Sequence, residues 1–170
     1  MINQNRSLTL QLFTCLIVIL ISLPSHTWAE WKVISHLDNS SDTKTDIAYT
    51  FNDAGYSLEI YRDSVDAIRS RFSITDGLIS FANKTCPTYQ VDRGIPQNRS
   101  INDAPCISSP NWSEFILGQI EGNRVKSSTL FALMNGSTVA FRFRLSNGDY
   151  REIKFSLLGS NRAMTSAFGE

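Results

Sequence analysis

The sequence predicts a mainly β domain: an antiparallel β-sandwich or flattened barrel built from hairpins, with a short helix before the last hairpin and a C-terminal helix. Three observations carry this. The middle and end of the chain alternate apolar and polar residues with period two, the pattern of half-buried strands. Glycine-bearing turn motifs separate those runs at Asn52-Asp53-Ala54-Gly55, Asp76-Gly77 and Ser146-Asn147-Gly148. Two short segments near the end place apolar residues at helical spacing between capping and stopping residues.

Register tests each hairpin, because a one-residue slip turns every side chain to the other face. In the first, residues 45–51 run into 56–62 across Asn52-Asp53-Ala54-Gly55. A four-residue loop pairs Phe51 with Tyr56, Tyr49 with Leu58, and Ile47 with Ile60. In the second, residues 68–75 meet 78–83 over Asp76-Gly77, the dipeptide a type I′ turn prefers. That pairs Ile74 with Ile79, Ser73 with Ser80, and Phe72 with Phe81.

The third hairpin joins 138–145 to 150–157. A two-residue Asn147-Gly148 turn fails here, since it sets Phe143 against Glu152 and Phe141 against Lys154. A three-residue loop repairs the pattern: Phe141 faces Ile153, Val139 faces Phe155, and Arg142 faces Glu152. Gly148 then takes the left-handed position of a bulged turn. Further strands are expected at 31–36, 89–92 and 115–120.

Ser127-Ser128-Thr129 caps a helical turn or two through Met134, ended by Asn135-Gly136. A strand reading of that segment is the alternative. Gly159-Ser160 opens a helix over 161–168, whose Ala163, Met164, Ala167 and Phe168 cover one end of the core.

Ahead of these elements, residues 1–29 read as a secretory signal peptide. Arg6 supplies a positive start, LTLQLFTCLIVILISL an apolar run, Pro24 a break, and Thr27-Trp28-Ala29 a cleavage site. The run is shorter than a spanning helix needs, and Cys15 lacks a lipobox context. Cleavage leaves 141 residues, 30–170, as one β-rich domain. Its balance of 15 basic against 16 acidic side chains gives no argument for nucleic acid as partner.

Two cysteines remain, Cys86 and Cys106, with nineteen residues between them. In an exported chain an even pair reads first as a disulfide. The rival reading is a redox or metal site. Redox pairs favour closer spacing, and a metal needs more ligands than two thiols and His36, the sole histidine after residue 29, supply.

The C-terminal third, a capped apolar turn ending in Gly, a hairpin, then FSLLGSNRAMTSAFG, resembles the invasion-associated locus B proteins. Trp31-Lys32-Val33 and FANKTCP fall in compatible places. The resemblance implies an all-β periplasmic or envelope-associated protein of a Gram-negative bacterium, without a known catalytic centre. The chain departs from that pattern in lacking cysteines near its N-terminus and a closely spaced pair midway. In a bacterial host, the Asn-x-Ser/Thr sequons at Asn39, Asn83, Asn98, Asn111 and Asn135 are incidental.

No catalytic constellation stands out. His36 reads as an exposed strand-end histidine rather than a base. No Gly-x-Ser-x-Gly elbow marks a nucleophile. Asp38, Asp42 and Asp46, four apart with Lys44 between, fit a solvated loop better than a calcium site. Two acids placed for glycoside hydrolysis are invisible at this level.

The most site-like feature is a basic face: Arg142, Arg144 and Lys154 on the outer side of the third hairpin, with Arg151, Arg124 and Lys126 nearby. Exposed strands also carry such residues simply to deter edge pairing. The proline-tethered loop between the cysteines, with Arg93, Asn98, Arg99 and Asp103, leading to Trp112, is the second candidate.

The expected function is that of a non-enzymatic periplasmic or secreted domain, without cofactor or metal. Its partner is an envelope protein or an anionic envelope ligand. A hydrolase inhibitor presenting the disulfide-closed loop, and an unrecognised envelope hydrolase, are the alternatives.

Overall fold

The computed structural model describes residues 30–38, 43–74, 79–82, 85–98, 106–121, 124–125 and 127–168. Residues 1–29, the Asp76-Gly77 turn, Asn39, Asp42, Asn83, Arg99, Asp103 and Lys126 lie outside these residues.

In chain order the elements are β1 (Lys32–Asp38), β2 (Thr43–Asn52), β3 (Tyr56–Arg62), β4 (Ala67–Ile74), β5 (Thr88–Val91), β6 (Cys106–Ser108), β7 (Trp112–Glu121), β8 (Arg124–Val125), α1 (Ser128–Asn135), β9 (Thr138–Arg144), β10 (Tyr150–Ser156) and α2 (Ser160–Phe168). They form two open antiparallel sheets. The large one runs β1-β2-β3-β4-β7-β6, with β8 on β7, and the small one β10-β9-β5. The fold is therefore the sandwich, not the closed barrel.

The core lies between the sheets. Tyr56, Leu58, Ile60, Ile68, Phe72 and Phe115 face inward from the large sheet, and Val139, Phe141, Phe143 and Phe155 from the small one. Phe72 sits at the centre, fully buried, its ring stacked 4.6 Å from that of Phe141 across the gap. Leu130 and Leu133 of α1, with Ala163, Met164 and Phe168 of α2, are buried in the same core. Both helices form where the sequence places them, each one residue longer than expected: α1 ends at Asn135 rather than Met134, and α2 begins at Ser160 rather than residue 161. Ser127 caps α1 by accepting from the Leu130 N–H, and Gly136 follows its last residue.

The third hairpin has the expected register: Arg142 opposes Glu152, Phe141 opposes Ile153, and Val139 opposes Phe155. Gly148 takes the left-handed conformation, with φ 92°.

The first hairpin forms, but its register is one residue away from the expected one. Asn52 opposes Tyr56, Thr50 opposes Leu58, and Ala48 opposes Ile60. The Asn52 side-chain oxygen accepts from the Ala54 and Tyr56 amides, and Gly55 at φ 77° closes a three-residue loop. Ala48 and Thr50 therefore face the core. Ile47, Tyr49 and Phe51 turn outward instead. Small inward residues on β2 suit the close approach of α2, which packs across β1, β2 and β3.

The second expected hairpin does not form. Both edges of β4 are taken, by β3 on one side and β7 on the other. Residues 79–82 pass instead to the small sheet, where Phe81 bridges Leu145 and the Ala82 amide donates to the Arg144 carbonyl. Phe72 and Phe81 still meet, with rings 5.6 Å apart, but across the core rather than across a ladder.

Cys86 and Cys106 form the disulfide, with Cα atoms 6.3 Å apart. Cys86 lies just before β5 in the small sheet, and Cys106 opens β6 at the margin of the large one. The bond is a staple between the two layers, and not merely the base of a surface loop.

Candidate functional site

The small sheet and α2 cover the inner face of the large sheet. The outer face is covered by no element among the described residues. Three rows of side chains cross it. One runs Lys32, Tyr49, Glu59, Arg71, Glu114, Ile107; the next Ile34, Ile47, Tyr61, Arg69, Ile116; the third Phe51, Ser57, Ser73, Trp112.

At the centre stands Glu114 of β7, a carboxylate only 6 % exposed on an outward-facing strand. Three side chains from β3 and β4 shut it in. Tyr61 Oη donates to Oε2, Arg69 Nη1 to Oε1 at 2.8 Å, and Arg71 Nη2 to Oε2 at 2.9 Å. Arg71 also donates to the Tyr61 hydroxyl at 3.2 Å. Its guanidinium carbon lies 5.6 Å from the centre of the Tyr61 ring and 5.0 Å from that of Trp112. The cation is thus sandwiched between two aromatic faces.

Asp63, in the β3–β4 turn, fixes the second arginine. One of its oxygens accepts from the Val65 and Ala67 amides, and the other from Arg69 Nε. Burial pushes the Glu114 pKa up, but the hydrogen bonds from Tyr61, Arg71 and Arg69 outweigh it and hold the group below the usual carboxylate range. Burial raises the Glu59 pKa; Arg71 opposes that shift, and the charge on Glu114 adds to it. Burial and the bond to Glu114 raise Tyr61, which stays a protonated donor at neutral pH.

Two carboxylates with opposite shifts, flanking one arginine, invite an acid–base reading. The hydrogen bonding weighs against it: both Glu114 oxygens are occupied by donors. The cluster is a preorganised, hydrogen-bonded patch.

Its stability has a pH signature. The folded pKa of Glu114 lies below the unfolded value, so its contribution is full above about pH 4.3 and lost as pH falls through the lowered folded value. Glu114→Gln is expected to lose about 2 kcal/mol at pH 7, allowing for the partial exposure of Arg69 and Arg71. The gap between wild type and variant should close toward pH 2. Urea titrations at a series of pH values measure this.

Around the cluster the face mixes polar residues, Lys32, Ser57 and Ser73, with exposed apolar ones. Ile34 is 42 % exposed, Phe51 49 %, Ile107 53 % and Ile116 38 %. Tyr49 lies beside Phe51, with ring centres 6.2 Å apart.

The sequence-predicted site residues divide among three places. Trp112 belongs to this face, under Arg71. Arg93, Arg142 and Lys154 gather on the outer side of the small sheet, around an open hollow of about 370 Å³ that Ala140, Gln90, Asp92 and Thr138 also line. There Arg142 is bound to Glu152 at 2.6 Å and to Gln90 at 2.9 Å, and Lys154 reaches Glu152 at 3.2 Å. Asp92 accepts from the Ser137 and Thr138 amides. Arg144 stands apart, donating to the Gly148 carbonyl. Arg142, Arg144 and Lys154 are therefore tied into local interactions, and only part of the expected face converges.

His36 is exposed on β1, opposite Thr45. Ser35, its neighbour, points to the other side of the strand, where it bonds to Asp46, so the three form no triad. Among the described residues, no group of three or more His, Cys, Asp or Glu side chains could hold a metal ion. No helix among them is long and apolar enough to cross a membrane.

The described part of the disulfide loop is braced by paired bonds between Tyr89 and Gln97 and by Gln90 Nε2 to the Gly94 carbonyl. Ile95 projects from it, 77 % exposed.

No protein family, characterised protein or solved structure matches this chain.

Proposed function

We propose that this chain is a non-enzymatic, exported domain that binds a protein partner of the cell envelope through the outer face of its large sheet. One observation carries the reading: an uncovered sheet face holds a partly exposed, hydrogen-bonded arginine between two aromatic rings, with Ile34, Phe51, Ile107 and Ile116 exposed on the same face. Tyr, Trp and Arg in rigid, water-poor settings dominate binding energy at protein interfaces, and an apolar surround excludes water from them. Prior fixing of Arg71 by Glu114 lowers the ordering cost of docking. The signal-peptide pattern of residues 1–29 supports export, and the likeness of the C-terminal third to invasion-associated locus B proteins supports an envelope setting.

The test compares partners cross-linked in cells by wild type, a Tyr49→Ser/Phe51→Ser variant, and an Arg142→Glu/Arg144→Glu variant. The outer-face pair is expected to lose a specific partner at least tenfold while keeping its stability, and the hairpin pair to retain it. Loss only in the hairpin pair would sink the reading and favour an anionic ligand at the Arg93–Arg142–Lys154 hollow.

The exposure of Ile95 on a braced loop favours a second reading, a hydrolase inhibitor. Ile95→Ala would then abolish the interaction and Phe51→Ser would not.

A further inference from the structure

Strand β1 is an open edge. Every residue from 32 to 37 is exposed, and no strand pairs with its outer side among the described residues. The other long edges are guarded. Along β5, Tyr89 exchanges backbone bonds with Gln97. Along β10, the Trp31 indole donates to the Ser156 carbonyl and the Asn52 amide to the Lys154 carbonyl. β6 is only three residues long and is anchored by the disulfide. By contrast, β1 has seven residues, no proline, and Val33, Ile34 and Leu37 exposed. An edge of that kind is a template for strand addition.

Its sequence, KVISHLD, is complementary to itself. In an antiparallel pair centred on Ser35, Lys32 stands opposite Asp38 of the second copy at both ends. Val33 meets Leu37, and Ile34 meets His36, each on the same face of the sheet. A shift of two residues either way sets Lys32 against His36 or beyond the strand, and the charge match is gone. Beside Val33, a hollow of about 420 Å³ opens against Leu158, Arg162 and Ala163, next to where Leu37 of the second copy would lie.

We infer that β1 pairs with β1 of a second copy about a two-fold axis through Ser35, joining two large sheets into one. The dimer sets two outer faces side by side, a bivalent surface.

Sedimentation of the purified chain of residues 30–170, whose two cysteines are tied in the Cys86–Cys106 disulfide, tests this over a concentration series. Wild type should dimerise. Lys32→Asp and Asp38→Lys should each raise the dissociation constant roughly tenfold, since each creates two like-charge oppositions. The double variant should restore it.

A second probe stands should a reversal fail to fold. Directly opposed Cα atoms lie about 4.5–5.5 Å apart, within disulfide reach. Ser35→Cys should cross-link to itself on mild oxidation, while Val33→Cys should cross-link to Leu37→Cys and not to itself. A monomer at all concentrations, a dimer indifferent to both reversals, or equal self-linking at positions 33 and 35 overturns the inference. None of these readouts involves the proposed envelope partner, so failure here leaves that reading standing.

Discussion

Phe72→Ala is expected to destabilise the domain by about 4 kcal/mol, lowering its melting temperature by roughly 12 °C. The ring is fully buried and touches Tyr56, Phe81, Phe141, Phe143 and Phe155, with centres between 4.6 and 6.1 Å away. Its removal leaves a void bordered by both sheets, which cannot collapse without closing the sandwich. The matched control is Phe51→Ala, expected to change stability by less than about 0.5 kcal/mol because that ring lies half-exposed on the outer face. The contrast measures the register of the first hairpin directly. Had Phe51 paired with Tyr56, both phenylalanines would be core residues with comparable losses. Denaturant unfolding of the two variants separates the cases.

Replacing Cys86 and Cys106 with serine is expected to cost about 3 kcal/mol. The bond closes a separation of 20 residues, and most of that figure is loop entropy restored to the unfolded chain. Its position adds a local consequence. Because the staple joins β5 to the margin of the large sheet, amides of β5 and β6 should lose hydrogen-exchange protection more than those of β2 and β3. A uniform loss would mean that the bond acts through the unfolded state alone.

The third hairpin was legible because its constraints agree. Phe141, Val139 and Arg142 find suitable partners in one register only, and Gly148 fits the turn that register needs. The first hairpin carries conflicting signals. The larger apolar residues, Ile47, Tyr49 and Phe51, alternate on one face and Ala48 and Thr50 on the other, so pattern alone favours turning the large set inward. Asn52 and Gly55 set a loop one residue shorter, and α2, distant in sequence, needs the small residues beneath it.

Asp76-Gly77 misled for a related reason. A good local turn dipeptide cannot show that β7, some forty residues on, will claim the edge of β4. The disulfide was legible from cysteine count, but its role between layers was not, since that depends on which sheet each cysteine enters.

The outer-face cluster was missed apart from Trp112. Glu114 lies 45 residues beyond Arg69, and no local pattern links them. A signal was present in β3 and β4: Glu59 and Tyr61 alternate opposite Arg71 and Arg69 across the turn that Asp63 closes. Pairing those two strands first would have placed aromatic and charged residues together on one face.

The central claim is that this face, and not the basic hairpin, meets the partner. The most direct measurement places a photo-activatable cross-linking residue at Phe51, and separately at Tyr150, in cells making the protein. Tyr150, on the small sheet, is the more exposed of the two at 75 %. Exposure alone therefore predicts stronger cross-linking at Tyr150. Docking through the large sheet predicts one discrete adduct from Phe51 and none of that mass from Tyr150. A discrete adduct from Tyr150 alone would contradict the account.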